Sequence, residues 1–138
     1  MNHIIVPVDL SNNSKEALRY AAHIADAAKA GITVVFCYSL LEKAIRYTTK
    51  KGDVDKDPDK WIQKRIDKIQ SKKPQLDIDY KIIKGDILDS IRRLVDVTKA
   101  DLVIMGCQGK EENKETFLGS IAGAMVKGVG TKVFWVQT

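Results

Sequence analysis

Residues 102–109 read Leu-Val-Ile-Met-Gly-Cys-Gln-Gly, and after nine further residues the chain continues with Gly119-Ser120. The apolar start, Leu102 to Met105, is typical of a buried strand, and the run from Ile121 to Val126 is typical of a helix. Glycines let a backbone approach an anion closely, and the unpaired N–H groups at the start of a helix point toward it. This strand–loop–helix pattern therefore predicts a phosphate-binding loop.

The same glycines have a purely structural alternative. In that interpretation Gly106 ends a strand, and Gly119 allows close helix packing together with Gly123, one turn later. The joint spacing of Gly106, Gly109 and Gly119-Ser120 favours the phosphate loop over this alternative.

Five apolar strand segments alternate with helical segments along the chain. The predicted strands are Ile4–Asp9, Ile32–Tyr38, Ile78–Ile82, Leu102–Met105 and Val133–Val136. Such alternation predicts an α/β fold, with a parallel sheet that is covered by helices on both faces. Ligands of these sheets bind beyond the carboxyl ends of the strands, and Asp9, Tyr38 and Gly106 all lie at such ends.

Composition is that of an ordinary globular protein. The chain has 138 residues, of which 44% are hydrophobic and 30% charged, so we expect one domain over residues 1–138. No apolar run approaches the roughly 20 residues of a membrane span, so no membrane partner is expected. Met1-Asn2-His3 leads directly into a strand, which leaves no room for a signal peptide and predicts a cytoplasmic location.

The net charge of +5 suits an anionic ligand. The basic residues are spread along the chain, however, and no basic stripe with interleaved aromatic residues is present, so nucleic acid is not the expected partner. The two cysteines, Cys37 and Cys107, end strands that are about two strand spacings apart, roughly 9–10 Å, in the predicted fold. A disulfide between them is not expected.

The fifth strand indicates a protein partner. It lies close to the end of the sequence given, and it contains four consecutive large apolar residues: Val133, Phe134, Trp135 and Val136. An exposed sheet edge of this kind invites pairing. We expect it to pair with the same strand of a second copy in a two-fold homodimer, the alternative being a free edge covered by the chain's own helices.

With these residues in view, the chain resembles the universal stress proteins over nearly its whole length. The likeness is carried by the opening Ile5-Val-Pro-Val-Asp-Leu-Ser11, by Gly85 before the third helix, and by the stretch Asp101–Gly106 with its glycine loop. In that family the pattern Gly-x2-Gly-x9-Gly-(Ser/Thr) marks members that bind ATP, and all its marked positions are filled here.

The resemblance implies an open five-stranded sheet of order 3-2-1-4-5, of the adenine-nucleotide alpha-hydrolase-like type, with a dimer through the fifth strands. It also implies an adenine-nucleotide site for ATP, with Mg²⁺ as an accompanying ion. Val8 and Asp9 would contact adenosine, and Tyr38 would line the base pocket. Met105 and Gly106 would flank the ribose and phosphates. The residues implied to hold the phosphates are Gly109, Gly119, Ser120 and Ile121. Gln108 also belongs to the predicted site, but it departs from the family, which often has a basic or imidazole side chain at this position.

Three functions are open at this point, of which an enzyme that uses Asp9 as a base has the least support; the other two are as follows. The first is an ATP-binding regulatory domain that acts as a nucleotide-dependent switch in the stress response. The second is a dimeric interaction module that needs no nucleotide; it is favoured by the glutamates Glu111, Glu112 and Glu115 inside the glycine loop, which would repel a triphosphate unless Mg²⁺ or lysines intervene.

Catalytic motifs are missing from the sequence. It contains neither a Gly-x4-Gly-Lys-Ser/Thr loop nor a Gly-x-Ser-x-Gly elbow. No catalytic residue is therefore predicted, and any ATP hydrolysis should be slow. The irregular stretch from Leu41 to Asp59 is interpreted as a long loop whose lysines could reach a bound anion.

Overall fold

The computed structural model describes residues 2–38, 57–107 and 127–137, and it contains a parallel sheet of five strands in the order β3-β2-β1-β4-β5. The strands are β1 (His3–Val8), β2 (Gly31–Cys37), β3 (Ile78–Ile83), β4 (Leu102–Cys107) and β5 (Lys132–Gln137). This is the order that the resemblance implied. The strand order reverses between β1 and β4, which makes their carboxyl ends the place where such sheets hold ligands.

Each described helix begins at a side chain that caps it. Helix α1 (Asn12–Ala28) begins after Ser11, helix α2 (Pro58–Lys72) after Asp57, and helix α3 (Ile87–Thr98) after Asp86. In each case a side-chain oxygen accepts a hydrogen bond from a backbone N–H of the first turn, which has no partner within the helix.

The start of α2 corrects the sequence analysis, which placed residues up to Asp59 in an irregular loop. Asp57 accepts hydrogen bonds from the N–H groups of Asp59 and Lys60, at 3.0 and 3.4 Å, and Pro58 occupies the first helical position. Proline is favoured there because its missing N–H would have no partner in any case. The rest of the predicted loop, up to residue 56, lies outside the described residues.

Apolar side chains fill both faces of the sheet. On one face, α1 and α2 cover a cluster that includes Val8, Phe36 and Ile104. On the other, α3 covers a second cluster that includes Ile5, Val35 and Met105. The two clusters take alternate residues of each central strand, as the two-residue period of a strand requires. The sheet is therefore buried on both faces, as the continuous apolar runs predicted.

The two outer strands differ in burial from the central ones. In β3 the buried Ile78 is followed by exposed Asp79 and Lys81, which alternate with the half-buried Tyr80 and Ile82. On β5, Phe134 is 43% exposed and stacks on Tyr20 of α1, with ring centroids 5.4 Å apart, while Trp135 is 40% exposed. Among the described residues, no helix has both the length and the apolarity needed to cross a membrane.

Candidate functional site

The pairing between β1 and β4 stops before the carboxyl ends of these strands. β1 pairs with β2 along its full length, from His3 to Val8, whereas its pairing with β4 covers only Ile4 with Leu102 and Ile5 with Val103. The two strands at the reversal of strand order are thus paired at one end of the sheet and not at the other.

Pro7 explains where this pairing ends. The carbonyl of His3 accepts a hydrogen bond from the backbone N–H of Asp101, at 2.9 Å, so the odd-numbered residues of β1 direct their backbone groups toward β4. Pro7 is the next odd-numbered residue after Ile5 and has no N–H to donate. The β4 side of β1 therefore lacks a donor at this point, and we call the unpaired ends of β1 and β4 beyond it the crevice.

Asp9 follows β1 directly and is held by the start of α1. Its side chain is 9% exposed, and its Oδ1 atom accepts hydrogen bonds from the hydroxyls of Ser11 and Ser14 and from the backbone N–H of Ser11. The Ser14 bond is 2.6 Å long, and the Ser14 hydroxyl also accepts from the N–H of Asp9 at 2.8 Å. These contacts fix the orientation of the carboxylate.

The second oxygen of Asp9 has a different environment. Within the described residues, Oδ2 accepts no hydrogen bond, although it belongs to a carboxylate that is mostly buried. Asp9 therefore presents one oxygen that is suited to a ligand hydroxyl or amine, while its other oxygen holds the protein together.

Gly106 lies on β4 where the first turn of α1 crosses the sheet. A Cβ atom at this position would lie 2.5 Å from the carbonyl oxygen of Asn13 and 2.6 Å from its carbon. Only glycine lets the α1 backbone come this close to β4. Beside this contact, Leu10 has a left-handed backbone with φ 64°, an uncommon conformation that costs energy and is often found near functional sites.

The other predicted site residues in the described chain are one exposed aromatic residue and two buried apolar residues. Tyr38 is 38% exposed and packs edge-on against the buried Phe36, with ring centroids 5.8 Å apart. Its ring is thus supported on one side and accessible. Val8 and Met105 are fully buried in opposite clusters, so their backbone groups are what these positions offer to a ligand.

Part of the predicted site lies outside the described residues: Gln108, Gly109, Gly119, Ser120 and Ile121. For the part that the structure describes, no group of three or more His, Cys, Asp or Glu side chains is placed to hold a metal ion. The described half of the site contains an oriented carboxylate, an accessible aromatic ring and strand ends that are not paired with each other. A carboxylate oxygen can accept from a ribose hydroxyl or an amine, and an aromatic ring can pack on a base.

Three residues of this arrangement were not singled out by the sequence analysis. Ser14 orients Asp9, Asn13 packs on Gly106, and Pro7 ends the pairing with β4. A signal for the first was available in the spacing Asp9-x-Ser11-x-x-Ser14, in which two hydroxyls of a helix start follow a strand-end carboxylate.

Comparison with known sequences matches the profile of the universal stress protein family to residues 1–137. The chain belongs to the universal stress protein family. No curated protein sequence is significantly similar to this universal stress protein.

Solved structures of other family members share its fold. A universal stress protein in complex with cAMP has 22% sequence identity and a TM-score of 0.67, covering 98% of this chain and 96% of the other. The universal stress protein UspA from Lactobacillus plantarum has 18% identity and a TM-score of 0.68, covering 98% and 97%. One from Archaeoglobus fulgidus, in complex with dAMP, has 19% identity and a TM-score of 0.62, again covering 98% and 97%.

Proposed function

We propose that this protein binds an adenine nucleotide at the carboxyl ends of β1, β2 and β4 and acts as a nucleotide-dependent regulatory domain. The observation that carries the proposal is Asp9, a mostly buried carboxylate with one oxygen fixed by Ser11 and Ser14 and the other without a donor in the described chain. It lies where the β1–β4 pairing has ended. Two proteins of similar fold are complexes with cAMP and dAMP, which supports an adenine ligand here.

The nucleotide would be held by distinct parts of the chain. Asp9 would accept from a ribose hydroxyl or from the adenine amine, and the Tyr38 ring would pack on the base. The glycine pattern supports ATP as the preferred form, because Gly109, Gly119-Ser120 and Ile121 supply the N–H groups and hydroxyl that phosphates require, with Gln108 beside them. Mg²⁺ would offset the charge of the loop glutamates.

The function of the site is binding with slow or no turnover. The sequence contains neither of the two catalytic motifs sought above, and hydrolysis of a phosphate needs a group that positions the attacking water. In this proposal the regulatory signal is the binding of the nucleotide itself, and the response is the change that binding causes in the rest of the chain.

Two matched tyrosine variants test the proposal. Tyr38 and Tyr20 are 38% and 43% exposed, but only Tyr38 lies at the carboxyl ends of the strands. We expect Tyr38→Ala to weaken Mg²⁺–ATP binding about tenfold or more, because base–aromatic packing contributes about 1–3 kcal/mol. Tyr20→Ala should leave the affinity unchanged. Titration calorimetry measures both, and GTP is the control ligand.

The thermal stability of the unmodified chain gives a second readout. Ligand at about 100 times its dissociation constant stabilises a protein by roughly 2.7 kcal/mol, which raises Tm by several degrees. Absence of a rise with ATP, or equal rises with ATP and GTP, would contradict an adenine site.

A second function rests on a different observation, the exposed apolar edge of β5. Phe134 and Trp135 are 43% and 40% exposed on an edge strand, which supports pairing of β5, with Val133 to Val136, across a homodimer. In this alternative the dimer presents a surface to partners without nucleotide. Sedimentation measures whether the Trp135→Lys variant is a monomer or a dimer. A monomeric variant that still binds ATP would show that nucleotide binding does not need the dimer. A variant with the mass of the unmodified chain would contradict the β5 interface.

A further inference from the structure

A groove runs between α1 and α2 on the outer side of the sheet, away from the predicted nucleotide site. Its volume is about 220 Å³. We call it the basic groove, and its lining residues are Lys15, Leu18, Arg19, Ala22, His23, Arg65, Lys68, Ile69, Lys72 and Lys73. Six of these ten residues are lysine or arginine, and none is acidic.

Only part of this positive charge is balanced by the chain itself. Arg19 forms a salt bridge with Glu16, at 2.9 Å, and Lys73 forms one with Asp26, at 3.3 Å. Lys15, Lys68 and Lys72 form no salt bridge within the described residues. The groove therefore carries an excess of positive charge along both of its sides.

Arg65 is fixed at the groove by the neighbouring turn of α2. Its guanidinium lies over the Trp61 ring, 4.3 Å from the centroid, and its Nη1 donates to the Trp61 carbonyl at 3.3 Å. Its Nε atom is buried and has no acceptor in the described chain. Burial lowers the pKa of this guanidinium.

The floor of the groove is aliphatic. Leu18 and Ala22 of α1 are almost fully buried beneath it, so the apolar surface open to a partner is the partly buried Ile69 of α2 together with the aliphatic stems of the lining lysines and arginines. Along α2 the lining residues recur at Arg65, Lys68, Ile69 and Lys72, the spacing of one helical face. At 1.5 Å per residue, each side of the groove extends over about 10–12 Å.

These dimensions and charges discriminate between classes of ligand. A volume of about 220 Å³ is below the roughly 300–1,000 Å³ of pockets that enclose small molecules. A single anionic group would also pair with only a few of the cations that lie along the groove. Nucleic acid would need aromatic rings for stacking, but the floor is aliphatic and the Trp61 ring is covered by Arg65.

We propose that the basic groove binds an acidic amphipathic helix of a partner protein. The apolar side chains of that helix would pack on Ile69 and on the aliphatic stems of the lining lysines, and its flanking carboxylates would pair with Lys15, Arg65, Lys68 and Lys72. Helix-in-groove recognition uses this combination of apolar anchors and charged flanks. The groove shares no residue with the proposed nucleotide site, so this proposal stands apart from that function.

The probe is a fluorescent synthetic peptide of about 15 residues, long enough to form a helix, with leucines on one face and glutamates beside them. We expect the full chain to bind it at least about tenfold more tightly than a peptide in which serine replaces every leucine. Equal binding of the two peptides would show that the groove binds polyanions through charge alone, and it would overturn the proposal.

Charge-reversal variants locate the binding. Lys68→Glu/Lys72→Glu should weaken peptide binding about tenfold or more, whereas Lys60→Glu/Lys64→Glu makes the same charge change on α2 outside the groove and should stay within about twofold. Lys68→Gln/Lys72→Gln repeats the first test without adding acidic groups, and circular dichroism checks that every variant is folded. Equal losses in the two Glu variants would show an effect of net charge alone and overturn the proposal.

A single-stranded oligothymidylate of the same charge as the peptide tests the other macromolecular class. We expect it to bind more weakly than the leucine-containing peptide. Tighter binding of the oligonucleotide, lost on Lys68→Glu/Lys72→Glu, would assign the groove to nucleic acid and contradict a protein partner.

Discussion

The two ends of the sheet are built differently. At the amino ends the chain closes on itself: the Asp101 carboxylate accepts the backbone N–H groups of Asn2 and His3, and His3 Nε2 lies 2.7 Å from the Thr33 hydroxyl. At the carboxyl ends the pairing between β1 and β4 has stopped, and Asp9 keeps one oxygen without a donor in the described chain.

This difference separates an end of the sheet whose polar groups are bonded within the chain from an end that is proposed to bind a ligand. Polar groups at the amino ends are satisfied by neighbouring backbone and side chains, which leaves them little to offer to a ligand. At the carboxyl ends Pro7 removes a donor from the pairing with β4, and Ser11 and Ser14 orient Asp9 using only one of its oxygens. The substitutions below test each part of this contrast, in order of expected effect.

Gly106→Val should cause the largest loss of stability. The added Cβ would lie 2.5 Å from the Asn13 carbonyl oxygen, so α1 must move away from β4. We expect a loss of about 3 kcal/mol in the free energy of unfolding, measured with urea. Gly128→Ala is the control, since its nearest contact is the end of the flexible Arg92 side chain at 3.3 Å, and it should change stability by less than about 0.5 kcal/mol.

Asp9→Asn separates the structural from the binding role of the carboxylate. The amide oxygen can still accept from Ser11 and Ser14, so the melting temperature should stay close to that of the unmodified chain. The other oxygen becomes an NH₂ group, which cannot accept from a ribose hydroxyl or an adenine amine. We expect ATP affinity to fall about tenfold or more in a calorimetric titration. Unchanged affinity would remove Asp9 from the proposed site.

Pro7→Val should restore a backbone donor toward β4. A longer β1–β4 pairing would stabilise the chain by about 1 kcal/mol through the added hydrogen bond and narrow the crevice. ATP affinity should therefore fall while the urea midpoint rises. A variant that binds ATP as tightly as the unmodified chain would show that the crevice does not depend on Pro7.

Asp101→Asn tests the closed end of the sheet. Hydrogen bonds from the backbone N–H groups of Asn2 and His3 lower the pKa of Asp101 in the folded chain. Its stabilisation is therefore fully present above the ordinary aspartate pKa of about 3.9 and is lost as pH falls through the lowered folded value. Relative to the unmodified chain, Asp101→Asn should lower Tm at pH 7 and have less effect in strong acid.

The control for this pH dependence is Asp96→Asn, an exposed carboxylate of α3 that has no hydrogen bond or ion pair within the described residues. It should leave the difference in Tm between neutral and acidic pH unchanged. The same pH profile for Asp101→Asn and Asp96→Asn would contradict the role of Asp101 at the amino end. ATP affinity should be unaffected in both variants.

Much of the fold follows from the sequence because strand and helix periods are local properties. The apolar runs around Val6, Val34 and Ile104 predicted central strands, and all three are fully buried. The start of α2 was missed because the irregular stretch was extended to Asp59, although Asp57-Pro58 is a cap followed by a proline suited to the first helical turn.

Contacts between distant segments were harder to predict. Asp9, Tyr38 and Gly106 were predicted at the carboxyl ends and are found there, but the packing of Asn13 on Gly106 depends on how closely α1 approaches the sheet. The sequence analysis described the basic residues as spread along the chain. Folding nonetheless brings Lys15 and Arg19 of α1 to the same groove as Lys68 and Lys72 of α2.

The measurement that tests the central claim most directly is an amide NMR titration of the ¹⁵N-labelled chain with Mg²⁺–ATP. The account predicts saturable shifts of the Asp9, Tyr38 and Gly106 resonances at the carboxyl ends, with those of His3 and Asp101 at the amino ends unchanged. Shifts at the amino ends alone, or no saturable shift at the carboxyl ends, would contradict it.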